Sequence, residues 1–470
     1  MHVSAINFTI GLPKVQQIAD HLAQAIAAGE LPPGTKLPSI RELTQTLGVS
    51  KFTVIDALDR LRGRNLIVSY QGRGYFVAAR GQGGQTSAVL NDLLPQDFLS
   101  VLRRLLISSN GAARPGCGFL PESWLDSDAL RQAMRQTVRA PLLRLAEYGV
   151  ASGYPPLREA LREKLACQGL VVPAEQIVTA ANTMQAVDML LRLLLRPGDT
   201  VLLDDPCYFN FHSNLTLHGA QVVTVARGPE GLDLEAFERC LSSRRPRVYL
   251  TSGLLHNPTG QSFLPAQAFR LLQLARQYGC HVIEDDLYGD LHDKPPPRLA
   301  ALAGVEQVSY VSGFSKILTA NPRVSYVAAS PSLAAALTHL KLMSGGVTCE
   351  LLEQIVYRML IDGSYGRHCK RLVHRLMESG GRVAQWLLAA GCTLPFGGEG
   401  GMFHWARLPE DIDSETLARA GLRHGLILAP GSLLSRGPDA RRFMRFNVAY
   451  SDDDAVKARF GLALADVRAK

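Results

Sequence analysis

The 470-residue chain has no CxxC pair; its eight cysteines (117, 167, 207, 240, 280, 349, 369 and 392) stand singly. Zinc and thiol-redox motifs need closely spaced cysteines, so no metal or redox site is expected, and reduced thiols in a cytosol fit instead. Long apolar runs are also missing, and the first residues lack a signal-peptide pattern. The expectation is a cytoplasmic protein with no membrane partner. What the chain does have is a globular balance of 47% hydrophobic and 20% charged residues, at a length that calls for two or three domains.

Charge is uneven. Residues 1–80 hold nine Lys/Arg against five Asp/Glu, a net of +4, and the other 390 residues together carry the same excess. Half of the +8 total therefore lies in about a sixth of the chain, which points to a polyanion partner for the N-terminal part. There, Val15, Ile18, Ala19, Leu22, Ala25 and Ile26 recur at helical spacing until the stretch GELPPG ends the pattern. In LPSIRELTQTLGVSKFTVIDALDRLRGRN, Ser39 and Glu42 form a capping box and Leu43 and Leu47 a buried stripe. Gly48 permits a tight turn, and Ser50 caps a second helix with Val54, Leu58 and Leu61 on one side.

This is a helix-turn-helix, whose second helix enters a major groove N-terminus first. Ser39, Arg41, Ser50, Lys51, Thr53 and Arg60 are the candidate DNA contacts. LIVSYQGRGYFVA reads as a hairpin with Arg73 at its tip, a minor-groove probe. The block resembles the winged-helix domain of the GntR family. Lys51 stands where that family usually has arginine, and Asn65 where a glycine often ends the helix.

AARGQGGQTSA (78–88) is a flexible connector, followed by amphipathic helical stretches to residue 109. Domains are accordingly expected at 1–80, 81–113 (linker) and 114–470. In the last, short apolar strands alternate with helical patterns, which implies a mostly parallel sheet covered on both faces. Ligands collect beyond the carboxyl ends of such strands. Three ends carry chemistry: Asn257 in NPTG, Asp285 with Tyr288 in VIEDDLYGDL, and Lys316 in VSGFSK. A carboxylate for a ring nitrogen, amide and phenol for a ring hydroxyl, and an amine for an aldehyde are the parts that hold pyridoxal 5'-phosphate, with Ser315 and Arg323 on its phosphate.

The segment from 114 onward resembles the fold-type I aspartate aminotransferase superfamily, with its large α/β domain and small C-terminal α/β subdomain. The resemblance implies that Asn182, Thr183 and Met184 in TAANTMQAVDML turn backbone amides to the phosphate. Tyr208 in DDPCYF would stack on the ring, and Arg445 in MRFNVAY would clamp a substrate carboxylate. Tyr148 in EYGVASGYPPLREAL would reach the cofactor of the partner subunit. Asn182 replaces the family's usual glycine and Met184 its glutamine. SGFSK lacks a hydroxyl three residues before Lys316, which shifts phosphate binding toward Ser315, Arg323 and Ser312.

A GntR winged helix joined to an aminotransferase-like domain resembles the MocR subfamily of bacterial transcription regulators. That implies a homodimer that binds operator DNA, on the nucleoid when bound, and senses a small amine, an amino acid or the cofactor itself. A working aminotransferase carrying a DNA-binding arm is the alternative, and a large domain serving only as a dimerisation scaffold is a third reading.

Overall fold

Three helices open the described chain, Lys14–Ala27 (α1), Ile40–Leu47 (α2) and Lys51–Gly63 (α3), and their boundaries have residue-level causes. The Ser39 hydroxyl accepts from the Glu42 amide while the Glu42 carboxylate accepts from the Ser39 amide, so the capping box is formed. Gly48 ends α2 at φ 60°, a left-handed geometry that glycine adopts without a Cβ clash. Ser50 caps α3 by accepting from the Thr53 amide at 3.1 Å. Ile18, Leu22, Leu43, Leu47, Val54, Leu58 and Leu61 form one buried cluster. The strands Ile67–Tyr70 (β1) and Gly74–Val77 (β2) pair antiparallel with Tyr70 opposite Gly74. The Leu37 amide donates to the Tyr75 carbonyl (2.8 Å), which ties the wing to the entrance of α2.

The computed structural model describes residues 14–27, 30–32, 34–63, 66–70, 74–77, 112–140, 146–319, 321, 323–344, 347–397 and 400–469. The expected connector and amphipathic stretches at 78–109, and Arg73, lie outside them. The chain divides into two compact units, Met1–Leu93 and Leu94–Lys470. Among the described residues, no helix is long and apolar enough to cross a membrane.

The large unit is built on Ile177–Ala180 (β3), Thr200–Asp205 (β4), Gln221–Gly228 (β5), Gly231–Leu232 (β6), Val248–Thr251 (β7), His281–Asp285 (β8), Val308–Gly313 (β9) and Ser325–Ala328 (β10). They form one sheet in the order β3-β10-β9-β8-β7-β4-β5-β6. The run from β9 to β5 is parallel; β10 is antiparallel to both neighbours and β6 to β5. Every residue of β7 and β9 is buried, as helices on both faces require. A smaller sheet, Phe403–Arg407 (β11), Ala429–Pro430 (β12) and Phe443–Asn447 (β13), runs β11-β13-β12 near the C-terminus. Because β4, β7, β8 and β9 are parallel, Asp205, Thr251, Asp285 and Gly313 end at one edge, and the loops after them meet there.

Close approach and backbone geometry together require the glycine at position 153. Gly153 has φ +111°, and a Cβ there would lie 2.3 Å from Thr179 Oγ1 on β3. Gly153→Ala is expected to cost about 2–5 kcal/mol from backbone strain and overpacking together, read as a lower urea midpoint of unfolding.

Candidate functional site

Three consecutive carboxylates stand at the end of β8, Glu284 and Asp285 in the strand and Asp286 just after it, and only the middle one is left incomplete. Glu284 accepts from the Leu299 and Ala300 amides, both at 2.9 Å. Asp286 accepts from Arg298 Nε (2.5 Å), the Tyr310 hydroxyl (2.7 Å) and the Gly289 amide (3.0 Å). Asp285 is buried, and its Oδ1 accepts nothing from the protein. Burial, then the charge of Asp286, pushes the Asp285 carboxyl up to about 7, with Lys316 opposing the rise. A buried carboxylate without a partner is costly unless a cation or N–H donor reaches it.

Lys316 follows β9 by three residues, and its Nζ donates to the Gly118 carbonyl at 2.5 Å. Burial, then the Arg445 guanidinium, lowers this amine to about 8. A useful fraction is therefore uncharged and nucleophilic near neutral pH. Arg445, on β13, is buried without a carboxylate partner. Nη1 donates to Asn257 Oδ1 (2.8 Å), Nη2 donates to the Gly116 carbonyl (2.7 Å), and Nε donates to nothing. Its guanidinium lies 4.7 Å from the centre of the Phe403 ring, which leaves a buried cation held by dipoles alone.

The segment 116–119 supplies carbonyls to both groups and is itself pinned by Asn447, whose Nδ2 donates to the Cys117 (3.1 Å) and Phe119 (2.8 Å) carbonyls. A Cβ on Gly118 would stand 3.7 Å from Lys316 Nζ and 4.0 Å from Arg445 Nη2, so glycine keeps the space between amine and guanidinium open. Sequence reasoning missed this segment, Asn447 and Phe403. The hydrogen-bonding groups of the segment are backbone carbonyls, which leave no residue signature.

The remaining expected residues divide. The Tyr288 ring packs edge-on against Phe403 at 5.5 Å, and burial raises its hydroxyl. Burial also raises the Tyr208 phenol, which feels Arg445, Asp285 and Arg323 and accepts from Asn210 Nδ2 (2.9 Å). Asn182 caps the helix Thr183–Leu194, its side chain accepting from the Gln185 amide, which leaves the Thr183 and Met184 amides as the open first-turn donors. Ser315 Oγ is buried without a partner. Arg323 is exposed, yet its charge helps to lower Lys316. Ser312 is committed elsewhere, its hydroxyl donating to the Asp286 carbonyl at 2.7 Å. Tyr148 is 93% exposed.

In the first unit, Lys36, Arg41, Lys51, Ser39 and Thr44 line a cleft of about 780 Å³ between α2, α3 and the wing. Thr53 and Ser50 share a hydroxyl contact at 2.8 Å. Arg60 Nη1 donates to Gln16 Oε1 on α1 (2.5 Å), so it is held within the domain rather than at the reading turn.

The raised carboxyl has a consequence for stability. A folded-state value of about 7 above an ordinary 3.8 means the folded protein holds this proton while the unfolded chain has lost it. Stability from Asp285 is then full below about pH 4 and is lost as pH rises through 7. Asp285→Asn should be more stable than the ligand-free wild type by a margin that grows from pH 4 to 7 and levels off above 8, reaching a few kcal/mol. Paired urea titrations at each pH measure it; a margin constant with pH would contradict the assignment.

Comparisons with known proteins agree with this division. Residues 14–77 match the bacterial regulatory proteins of the gntR family, and residues 122–458 match aminotransferase class I and II. The chain is 29% identical to an uncharacterized HTH-type transcriptional regulator of Escherichia coli, YdcR, over 95% of this chain and 98% of the relative. It is 26% identical to the probable rhizopine catabolism regulatory protein MocR of Rhizobium meliloti, over 89% and 86%. Among solved structures, the α-aminoadipate aminotransferase LysN of Thermus thermophilus, complexed with N-(5'-phosphopyridoxyl)-L-leucine, superposes with a TM-score of 0.73. The identity is 27%, covering 82% of this chain and all of that one. The chain belongs to the aminotransferase class I and II family and carries a GntR-family helix-turn-helix domain at its N-terminal end, the arrangement of the MocR-type regulators.

Proposed function

We propose that this DNA-binding regulator senses a carboxylate-bearing amine through pyridoxal 5'-phosphate held in the large unit. The observation that carries the reading is a group of buried polar atoms left without protein partners: Asp285 Oδ1 and Ser315 Oγ at and after the ends of β8 and β9, and Nε of Arg445, whose guanidinium bonds Asn257. A phosphorylated pyridine aldehyde matches their chemistry. Asp285 would hold the ring nitrogen, Asn257 and Tyr288 the ring hydroxyl, and Tyr208 the ring face. Ser315, Arg323 and the amides of Thr183 and Met184 would hold the phosphate. When bound, the cofactor supplies an aldehyde that condenses reversibly with an amine.

Lys316, partly uncharged near neutral pH, is the residue to meet that aldehyde. Arg445 is the carboxylate clamp, since a bidentate pair would replace its two carbonyl contacts with a full charge. The exposed Tyr148 is the group expected to complete the site across a homodimer. The Thermus enzyme above is named as an aminotransferase, and turnover is the second reading. It is favoured by the same amine and guanidinium, which serve either role. Sensing is preferred because coupling needs a DNA-binding unit and catalysis does not.

The full-length protein should select a preferred duplex from a random library. On that duplex, an effective amino acid should change affinity by about 5- to 150-fold, a coupling of about 1–3 kcal/mol. Arg445→Ala should erase the response to carboxylate-bearing amines while leaving basal DNA affinity near that of the wild type. Fast multiple turnover with an amino-acid and oxo-acid pair, together with DNA binding indifferent to every amine tested, would establish the enzyme reading instead.

A further inference from the structure

In the first unit, the large apolar side chains left exposed among the described residues are Phe52 (78%) and Val68 (39%). Phe52 sits in the first turn of α3, whose buried stripe is Val54, Ala57, Leu58 and Leu61. At 100° per residue, Phe52 falls almost diametrically opposite the centre of that stripe. Ser50 and Thr53, the short hydroxyls of this turn, are closed on one another. The turn therefore presents Lys51 and Phe52. An aromatic ring in water forfeits the stabilisation that burial gives, and no packing need of α3 calls for one here.

We propose that Phe52 is a specificity-determining residue that packs against the C5-methyl group of a thymine in the major groove. Charge complementarity fixes the occupant. Lys36, Arg41 and Lys51 border the cleft beside the turn and match phosphates on either side of a groove. Asp56 and Asp59 continue Phe52's face along α3, and their carboxylates disfavour phosphate there, so the first turn alone enters. Within a major groove the one apolar group on a base edge is the thymine methyl. The inference rests on the DNA-binding reading of this unit and adds which base feature the helix reads.

The test uses the full-length protein and the duplex it selects from a random library, with each thymine replaced singly by deoxyuridine. Wild type should lose about fourfold in affinity at one thymine of each half-site, the effect of withdrawing one buried methyl, and be indifferent elsewhere. Placing 5-methylcytosine instead of cytosine at that position should recover affinity by a similar factor. Phe52→Ala should bind the thymine and deoxyuridine duplexes equally and select a library without that preference. If Phe52→Ala binds too weakly to measure, Phe52→Leu decides, because an apolar side chain there must retain a methyl penalty. A flat deoxyuridine scan for wild type, or an unchanged thymine preference in Phe52→Ala, overturns the proposal while leaving DNA binding intact. Failure of the wild type to enrich any duplex overturns the DNA-binding reading and this inference with it.

Discussion

Asp285 lies between two carboxylates whose acceptors are already filled, Glu284 by backbone amides and Asp286 by Arg298, Tyr310 and Gly289. The sheet edge is organised around that asymmetry. The two flanking carboxylates have their oxygens filled by the protein's own donors, while the middle one is kept buried, raised toward neutrality and left with an open oxygen at the strand end. Lys316 and Arg445 face the mirror problem. Each is shielded from water with hydrogen bonds only to neutral carbonyls, and the Arg445 guanidinium helps to lower Lys316. The large unit thus gives up stability to keep three ionisable groups under-satisfied in one place, a pattern characteristic of sites that await a ligand.

That arrangement depends on a short stretch with little side-chain character. Residues 116–119 lend the Gly116 carbonyl to Arg445 and the Gly118 carbonyl to Lys316, while Asn447 holds the Cys117 and Phe119 carbonyls from β13. A ligand that takes up the amine and the guanidinium competes with both glycine carbonyls. This gives ligand occupancy a direct physical consequence for residues 116–119.

Much of this was legible in the sequence, for identifiable reasons. The caps at Ser39 and Ser50 are local rules, and the stripe Val54, Leu58 and Leu61 is periodic, so the helix-turn-helix could be read directly. Asn257, Asp285 and Lys316 follow apolar strands, and parallel topology brings strand ends together. Illegible were the features that depend on a neighbour distant in the chain. Arg60 turns to Gln16 on another helix, and Ser312 spends its hydroxyl on the Asp286 carbonyl. Phe403 finds Arg445 only because β11 and β13 pair, with Trp405 opposite Arg445. The antiparallel course of β10 carries no mark in a strand whose four residues are all buried.

The strand-end cluster is proposed as a cofactor site served by one lysine. The direct measurement is to load the purified protein with pyridoxal 5'-phosphate, reduce with borohydride, digest, and locate the label by peptide mass. A single phosphopyridoxyl group is expected on the peptide containing Lys316, with labelling lost in Lys316→Ala. Label spread over exposed lysines, or carried by the Lys316→Ala variant at the wild-type level, would contradict it.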